Sequence, residues 1–197
     1  MMDIGELKKI THVNAAELVA GSAIEESVAP LLEDGPDAKT LVARMVEKSM
    51  FLDAARFIVL ALPPRETTWL GCLTARYAAE EKPLSKIDQG ALESAERWVY
   101  EPSEENRRAA ERAIEDADYT TPAALAALSA FYSGGSIAGD DDNPLDAPSG
   151  VSAKLIDAAT ALVSVGPDEP TMETRARRLL AQALDVADGG SGRDVNV

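Results

Sequence analysis

"FIVLALPPRETTWLGCLTARY", residues 57–77, holds the most apolar run of the chain, stops on two prolines and starts again. A membrane hairpin, the wall of a ligand pocket or a corner between two helices of a water-soluble core would each produce such a pattern. A membrane span needs about 20 uninterrupted apolar residues. Arg56, Pro63, Pro64, Arg65 and Glu66 cut this run into pieces too short to cross. The residue before a proline avoids the α region, so one helix must end near Leu62. Pro63 closes the turn, and Pro64 suits the first turn of the next helix, where a missing N–H is no loss. Glu66 near that N-terminus favours the helix dipole. Trp69, Leu70, Leu73 and Tyr77 then form a stripe at helical spacing, running to about Ala79. The stretch predicts a tight corner between two antiparallel core helices.

Outward from this corner the chain reads as helix after helix. Phe51, Leu52, Ala55, Ile58, Val59 and Leu62 give the incoming helix a broad apolar face. Upstream, Asp37 caps a helix carrying Leu41, Val42, Met45 and Val46 on one side, and Asn14 caps a short one. Pro30, Gly35 and Pro36 interrupt the segment between them. Downstream, a helix is expected over 85–100, weakened by Gly90, and a second begins at the Ser103 cap with Glu104 and Glu105 in its first turn. A third begins at Thr121-Pro122 and stops on Ser133, Gly134 and Gly135. Helices over 151–165 and about 170–188 complete the series, and no segment alternates as a strand does.

The fold expected is all-α, a compact multi-helix bundle or a short α-solenoid of helical hairpins. Its parts are a flexible arm over 1–13, a main helical domain over 14–133 and an acidic loop over 134–150. A helical pair over 151–188 packs on the same domain, and a disordered tail covers 189–197.

Composition narrows the function. The formal net charge of −15 repels phosphate backbones and anionic lipid, which argues against nucleic-acid binding. It favours solubility and permits a basic protein partner. One cysteine, Cys72, and one histidine, His12, rule out an internal disulfide and a Cys/His zinc site. A reducing, cytoplasmic location is the expectation. The N-terminus has no continuous apolar stretch of the kind a signal peptide carries, and no membrane insertion is expected.

Catalytic constellations do not assemble from these residues. Cys72 lies one position from a core face and His12 in the arm, so a thiol–imidazole pair is not expected. Adjacent acids such as Glu25/Glu26, Glu80/Glu81 and Glu104/Glu105 diverge on a helix, as a solvated face does. "GDDDNPLD", residues 139–146, lacks the alternate acids and closing Glu of a calcium loop. "SGGS", residues 133–136, follows a helix, whereas a phosphate cradle precedes one. Arg107, Arg108 and Arg112, and later Arg175, Arg177 and Arg178, form basic clusters expected to pair with Glu104, Glu105, Glu111 and Glu173, the alternative being a docking patch for an acidic partner. No cofactor and no metal is expected.

Three pieces taken in order, "ALPPRETTWLGCLTAR" from residue 61, "AERWVYEPSEENRRAAERA" from residue 95 and "TPAALAALSAFYSGGSIA" from residue 121, carry a resemblance. Over about residues 58–138 the chain resembles an uncharacterised bacterial family of small all-helical proteins, labelled a domain of unknown function. The resemblance implies a Pro-Arg-Glu corner leading into a Trp-bearing helix, and a gene neighbourhood of contractile, type VI-like secretion systems. The chain departs from it in carrying the single Trp69 where a tryptophan pair is expected, and an acidic loop where a proline-rich one is.

Together these readings give a non-enzymatic interaction or adaptor protein, accessory to such a secretion system. A self-assembling structural subunit and a carboxylate- or metal-dependent enzyme are the alternatives, although the Glu-x-x-His pairs of di-metal bundles are absent. The partner-binding residues expected are Arg65, Trp69 and Arg76 around the corner helix, Trp98, and Phe131, Ser133, Gly134 and Gly135 at a later helix end. Trp69 and Trp98 also suit plain core packing.

Overall fold

The computed structural model describes residues 2–11, 14–115, 117–138, 143–166 and 170–195. Ten α-helices, one 3-10 turn and no strand are found among them, so the fold is all-α. Caps read from the sequence are in place. Asn14, Asp37, Ser103 and Thr121 each accept a backbone N–H of the following turn, and Ser85 and Thr171 do the same.

The helices divide into two compact units, one of residues 1–63 with 164–197, the other of residues 64–163. The terminal unit contains α1 (Ala15–Val19), α2 (Glu25–Val28) running into the 3-10 turn (Ala29–Leu31), α3 (Ala38–Glu47), α4 (Phe51–Ala61) and α10 (Met172–Asp188). Its core is the α4–α10 pair. Phe57 and Ile58 of α4 and Leu180 of α10 lose essentially all contact with water. At about 25 cal/mol per Å² of apolar surface, each such side chain contributes roughly 1.5–3 kcal/mol.

Arg177 of α10 lies over the Phe51 ring at 3.8 Å from its centroid. The buried guanidinium of Arg175 sits where a Cβ on Gly166 would come within 2.6 Å of it.

Residues 2–10 do not form a loose arm. Leu7 is buried, the Lys9 N–H donates to the Ala187 carbonyl at 2.8 Å, and the Glu6 N–H donates to Asp188 Oδ1 at 3.1 Å. Residues 189–192 are likewise tied back. Gly189 ends the helix in the left-handed region, and the Gly192 N–H donates to Asp185 Oδ2 at 2.7 Å.

The central unit contains α5 (Pro64–Glu81), α6 (Lys86–Tyr100), α7 (Glu104–Arg112), α8 (Pro122–Phe131) and α9 (Val151–Ser164), the last up to Val163. Helix α8 is its axis, packed by α5, α6 and α7. Alanines 123, 124, 126, 127 and 130 are fully buried there and let neighbouring helices come close. Gly71 of α5 belongs to the same tight packing, since a Cβ there would fall 2.3 Å from Ile156 Cδ1. A buried chain of hydroxyls, Thr68 to Ser129 at 2.9 Å and Ser129 to Ser152 at 2.8 Å, fixes the register of α5, α8 and α9.

The double proline behaves locally as expected. Leu62 is extended and α5 begins at Pro64. However, α4 takes its neighbours from α1, α3 and α10, and α5 takes its own from α6 and α8, so the corner joins two cores where one was expected. The sequence pointed to an acidic loop over 134–150 and to 151–188 as a helical pair packed on the one main domain. Contacts divide the chain at Pro63/Pro64 and Val163/Ser164, and α9 and α10 serve different units. The apolar face of α10 covers α4, while α9 is held by Gly71 and Ser129.

Candidate functional site

The expected partner-binding residues fall at two places in the central unit. The first is a strip along α5 and α6. Arg65, Trp69 and Arg76 are spaced by four and seven residues, which keeps them on one face of α5. Exposed Arg65 donates from Nε to the Val99 carbonyl at 2.6 Å, in the last turn of α6. A cation there satisfies a carbonyl that the ending helix leaves without an intrahelical partner. Its two Nη groups make no hydrogen bond and no ion pair among the described residues.

Half-buried Trp69 meets Tyr100 at 6.1 Å between ring centroids, tilted by 59°. Tyr100 is 63% exposed. At the far end Arg76 grips Glu96 with two bonds, Nε to Oε1 at 2.6 Å and Nη2 to Oε2 at 2.7 Å.

The second place is the end of α8, and it is closed. Arg107 is 4% exposed, and all three of its nitrogens are used. Nε and Nη2 hold Glu104 at 2.6 and 2.7 Å, Nη1 donates to the Phe131 carbonyl at 2.7 Å, and Nη2 donates to the Ser136 carbonyl at 2.6 Å. Arg108 donates to the Ser136 and Ala138 carbonyls at 2.8 and 2.6 Å. Both guanidiniums lie over the Phe131 ring, at 5.0 and 5.6 Å.

The hydrogen bonds from Arg107 hold the Glu104 carboxyl below its usual range. The chain then returns antiparallel, Ile137 N–H to Leu145 carbonyl at 2.7 Å and Ala147 N–H to Gly135 carbonyl at 3.0 Å. Asp140, Asp141 and Asp142 of the acidic loop lie outside the described residues.

Trp98 and Phe131 are buried in the core of the unit, at 6% and 5% exposure, and offer a partner little surface. Ser133, Gly134 and Gly135 reach the surface within the frame that Arg107 and Arg108 build. Tyr100 and Glu96 complete the strip without any local signal in the sequence, because nothing near them announces that the end of α6 meets the start of α5.

The expected ion pairs exist for Arg107 and Arg108 with Glu104, for Arg108 with Glu111, and for Arg177 with Glu173. The further bonds of Arg107 and Arg108 to carbonyls of residues 131–138 are long-range and were not legible.

Elsewhere, an open hollow of about 610 Å³ in the terminal unit is lined by Met2, Ile4, Leu184, Asp185, Asp188 and Asp194, among others. Asp185 and Asp188 are engaged there in fastening the chain ends to α10. Burial pushes the Cys72 thiol far above its ordinary range, so it stays protonated and unreactive. His12 lies outside the described residues. Among those described, no group of three or more His, Cys, Asp or Glu is placed to hold a metal ion, and no helix is long and apolar enough to cross a membrane.

A family model described as a family of unknown function (DUF6931) matches residues 41–187. No curated protein and no solved structure matches the chain.

Proposed function

The chain belongs to this family of unknown function, and on that footing we propose that it is a non-enzymatic protein-interaction module that docks through the Arg65–Trp69–Tyr100 strip. The observation that carries the reading is Tyr100, 63% exposed and resting on Trp69 beside an arginine. Single exposed apolar residues are ordinary. A Tyr–Trp–Arg group is different, because these three residue types supply most of the binding energy where proteins meet. The strip is also fixed in place, since Arg65 is tied to α6 and Arg76 to Glu96. A pre-ordered surface loses little side-chain entropy on binding.

The finer assignment is an adaptor accessory to a bacterial contractile, type VI-like secretion system. It rests on the resemblance of residues 58–138. The cytoplasmic setting rests on the lone Cys72 in a chain with no disulfide to protect.

Affinity capture from the source cells with the full chain tests the reading. One protein in stoichiometric amount is expected with the wild type and with Ile87→Ala, an exposed residue of α6 outside the strip, and is lost with Tyr100→Ala. The same captured set from all three sinks the strip as a docking surface. Sedimentation of the purified chain adds a second arm. A doubled mass that Tyr100→Ala abolishes makes the partner another copy of this chain.

A further inference from the structure

Resting on the docking reading above, we infer that the partner presents a carboxylate beside an apolar side chain, the carboxylate to Arg65 and the apolar group to the Trp69–Tyr100 pair. The guanidinium fork of arginine matches the two oxygens of a carboxylate. This unit fills that fork twice with its own acids, Arg76 with Glu96 and Arg107 with Glu104. Arg65 is a third arginine, fixed through Nε by the Val99 carbonyl, whose remaining nitrogens meet no acid among the described residues.

The Nη1–Nη2 edge of Arg65 is therefore oriented and unfilled, and it stands one helical turn from the aromatic pair on the same face of α5. A ligand that satisfies both neighbours is an acidic segment carrying a leucine, phenylalanine or similar side chain next to the acid. The net charge of −15 opposes the approach of such a segment. That field is screened beyond about 8 Å at physiological salt, so it slows encounter more than it weakens contact.

Three acetylated, amidated pentapeptides test the inference. They share two leucines and differ only at the other three positions, which are all Glu, all Gln or all Lys. Each is titrated into the nitrogen-15-labelled full chain at physiological salt. The two tryptophans give two indole signals, and buried Trp98 serves as the internal control. The Trp69 indole and Arg65 Nε signals should move while that of Trp98 stays.

The Glu peptide should bind about fivefold more tightly than the Gln peptide, the size of one exposed but well-formed ion pair, with the Lys peptide weaker still. Arg65→Ala, which removes both the charge and the fork, should bring the Glu and Gln affinities together, whereas Arg65→Lys, which keeps the charge and loses the fork, should only narrow the gap. Equal binding of the Glu and Gln peptides by the wild type overturns the carboxylate assignment and leaves the docking strip standing. If no peptide moves the Trp69 indole at millimolar concentration, the docking strip falls as well.

Discussion

Arg107 and Arg65 are the same residue type in the same compact unit, and they are used in opposite ways. Arg107 spends every nitrogen inside the molecule, on Glu104 and on carbonyls 24 and 29 residues further along the chain. Arg65 spends one nitrogen on Val99 and leaves the rest to solvent. Helix α8 ends in a glycine-rich turn that looks like a surface feature in sequence, yet its backbone is clamped by two arginines. Helix α5 begins in an ordinary corner and presents the open aromatic strip. The contrast separates residues that build the frame from residues the frame displays, and exposure alone would not have done so, because Gly134, Gly135, Arg65 and Tyr100 are all exposed.

The largest effect expected follows from Arg107. Arg107→Ala removes a buried cation and leaves the Phe131 and Ser136 carbonyls without that donor, so urea unfolding should show a loss of about 3 kcal/mol. Wild-type stability in this variant would erase the distinction drawn between the two arginines. Gly135→Ala should cost about 1 kcal/mol, because Gly135 has φ of 68°, where a side chain crowds the backbone. Its new Cβ would meet Arg107 Nε at 3.4 Å, an ordinary contact, so the cost comes from the backbone. If Gly135→Ala kept full stability and lost the captured partner, the helix end would be a docking surface after all.

Much of the frame was legible and the strip only in part, for physical reasons. Caps and breaks are local chemistry. Asp37, Ser103 and Thr121 announce helix starts by what their own side chains do within three residues, and Pro63–Pro64 announces an end and a start by sterics alone. Three of the strip residues were legible for the same reason, since Arg65, Trp69 and Arg76 share a face by spacing. Tyr100 was not, because its meeting with Trp69 depends on how α6 lies on α5. The same holds for Arg107, whose pairing with Glu104 is a helical neighbour relation but whose hold on Ser136 spans a loop and another helix. The division into two units also escaped the sequence. A double proline inside one core and a double proline between two cores satisfy the same local rules.

A smaller effect concerns pH. The Glu104 carboxyl is held below its ordinary value of 4.5, chiefly by its bonds to Arg107. A group whose pKa falls on folding stabilises the fold above its unfolded value, and that contribution fades as pH drops through the folded value. The stability gap between wild type and Arg107→Ala should therefore narrow below pH 4.5. The carboxyl carbon signal of Glu104 should titrate below 4.5 in the wild type and move toward it in the variant. A Glu104 midpoint unchanged by removal of Arg107 would mean that the pair seen at 2.6 Å does not persist in solution.

The smallest effect on stability belongs to Arg65, and its smallness is what the comparison requires. Arg65→Ala removes one hydrogen bond to a carbonyl at the open end of α6, and water can take the place of the donor. The expected loss is about 0.5 kcal/mol or less in the same urea experiment. Arg65→Ala should nevertheless abolish the preference for the Glu peptide, while Arg107→Ala, measured where it remains folded, should keep it. A loss above about 2 kcal/mol for Arg65→Ala would place this arginine with the architectural ones, as the mechanisms behind so large a change are those of buried groups. Stability and recognition would then be carried by the same side chain, and the unfilled fork would be a strut of the α5–α6 contact, with no role in reading a partner.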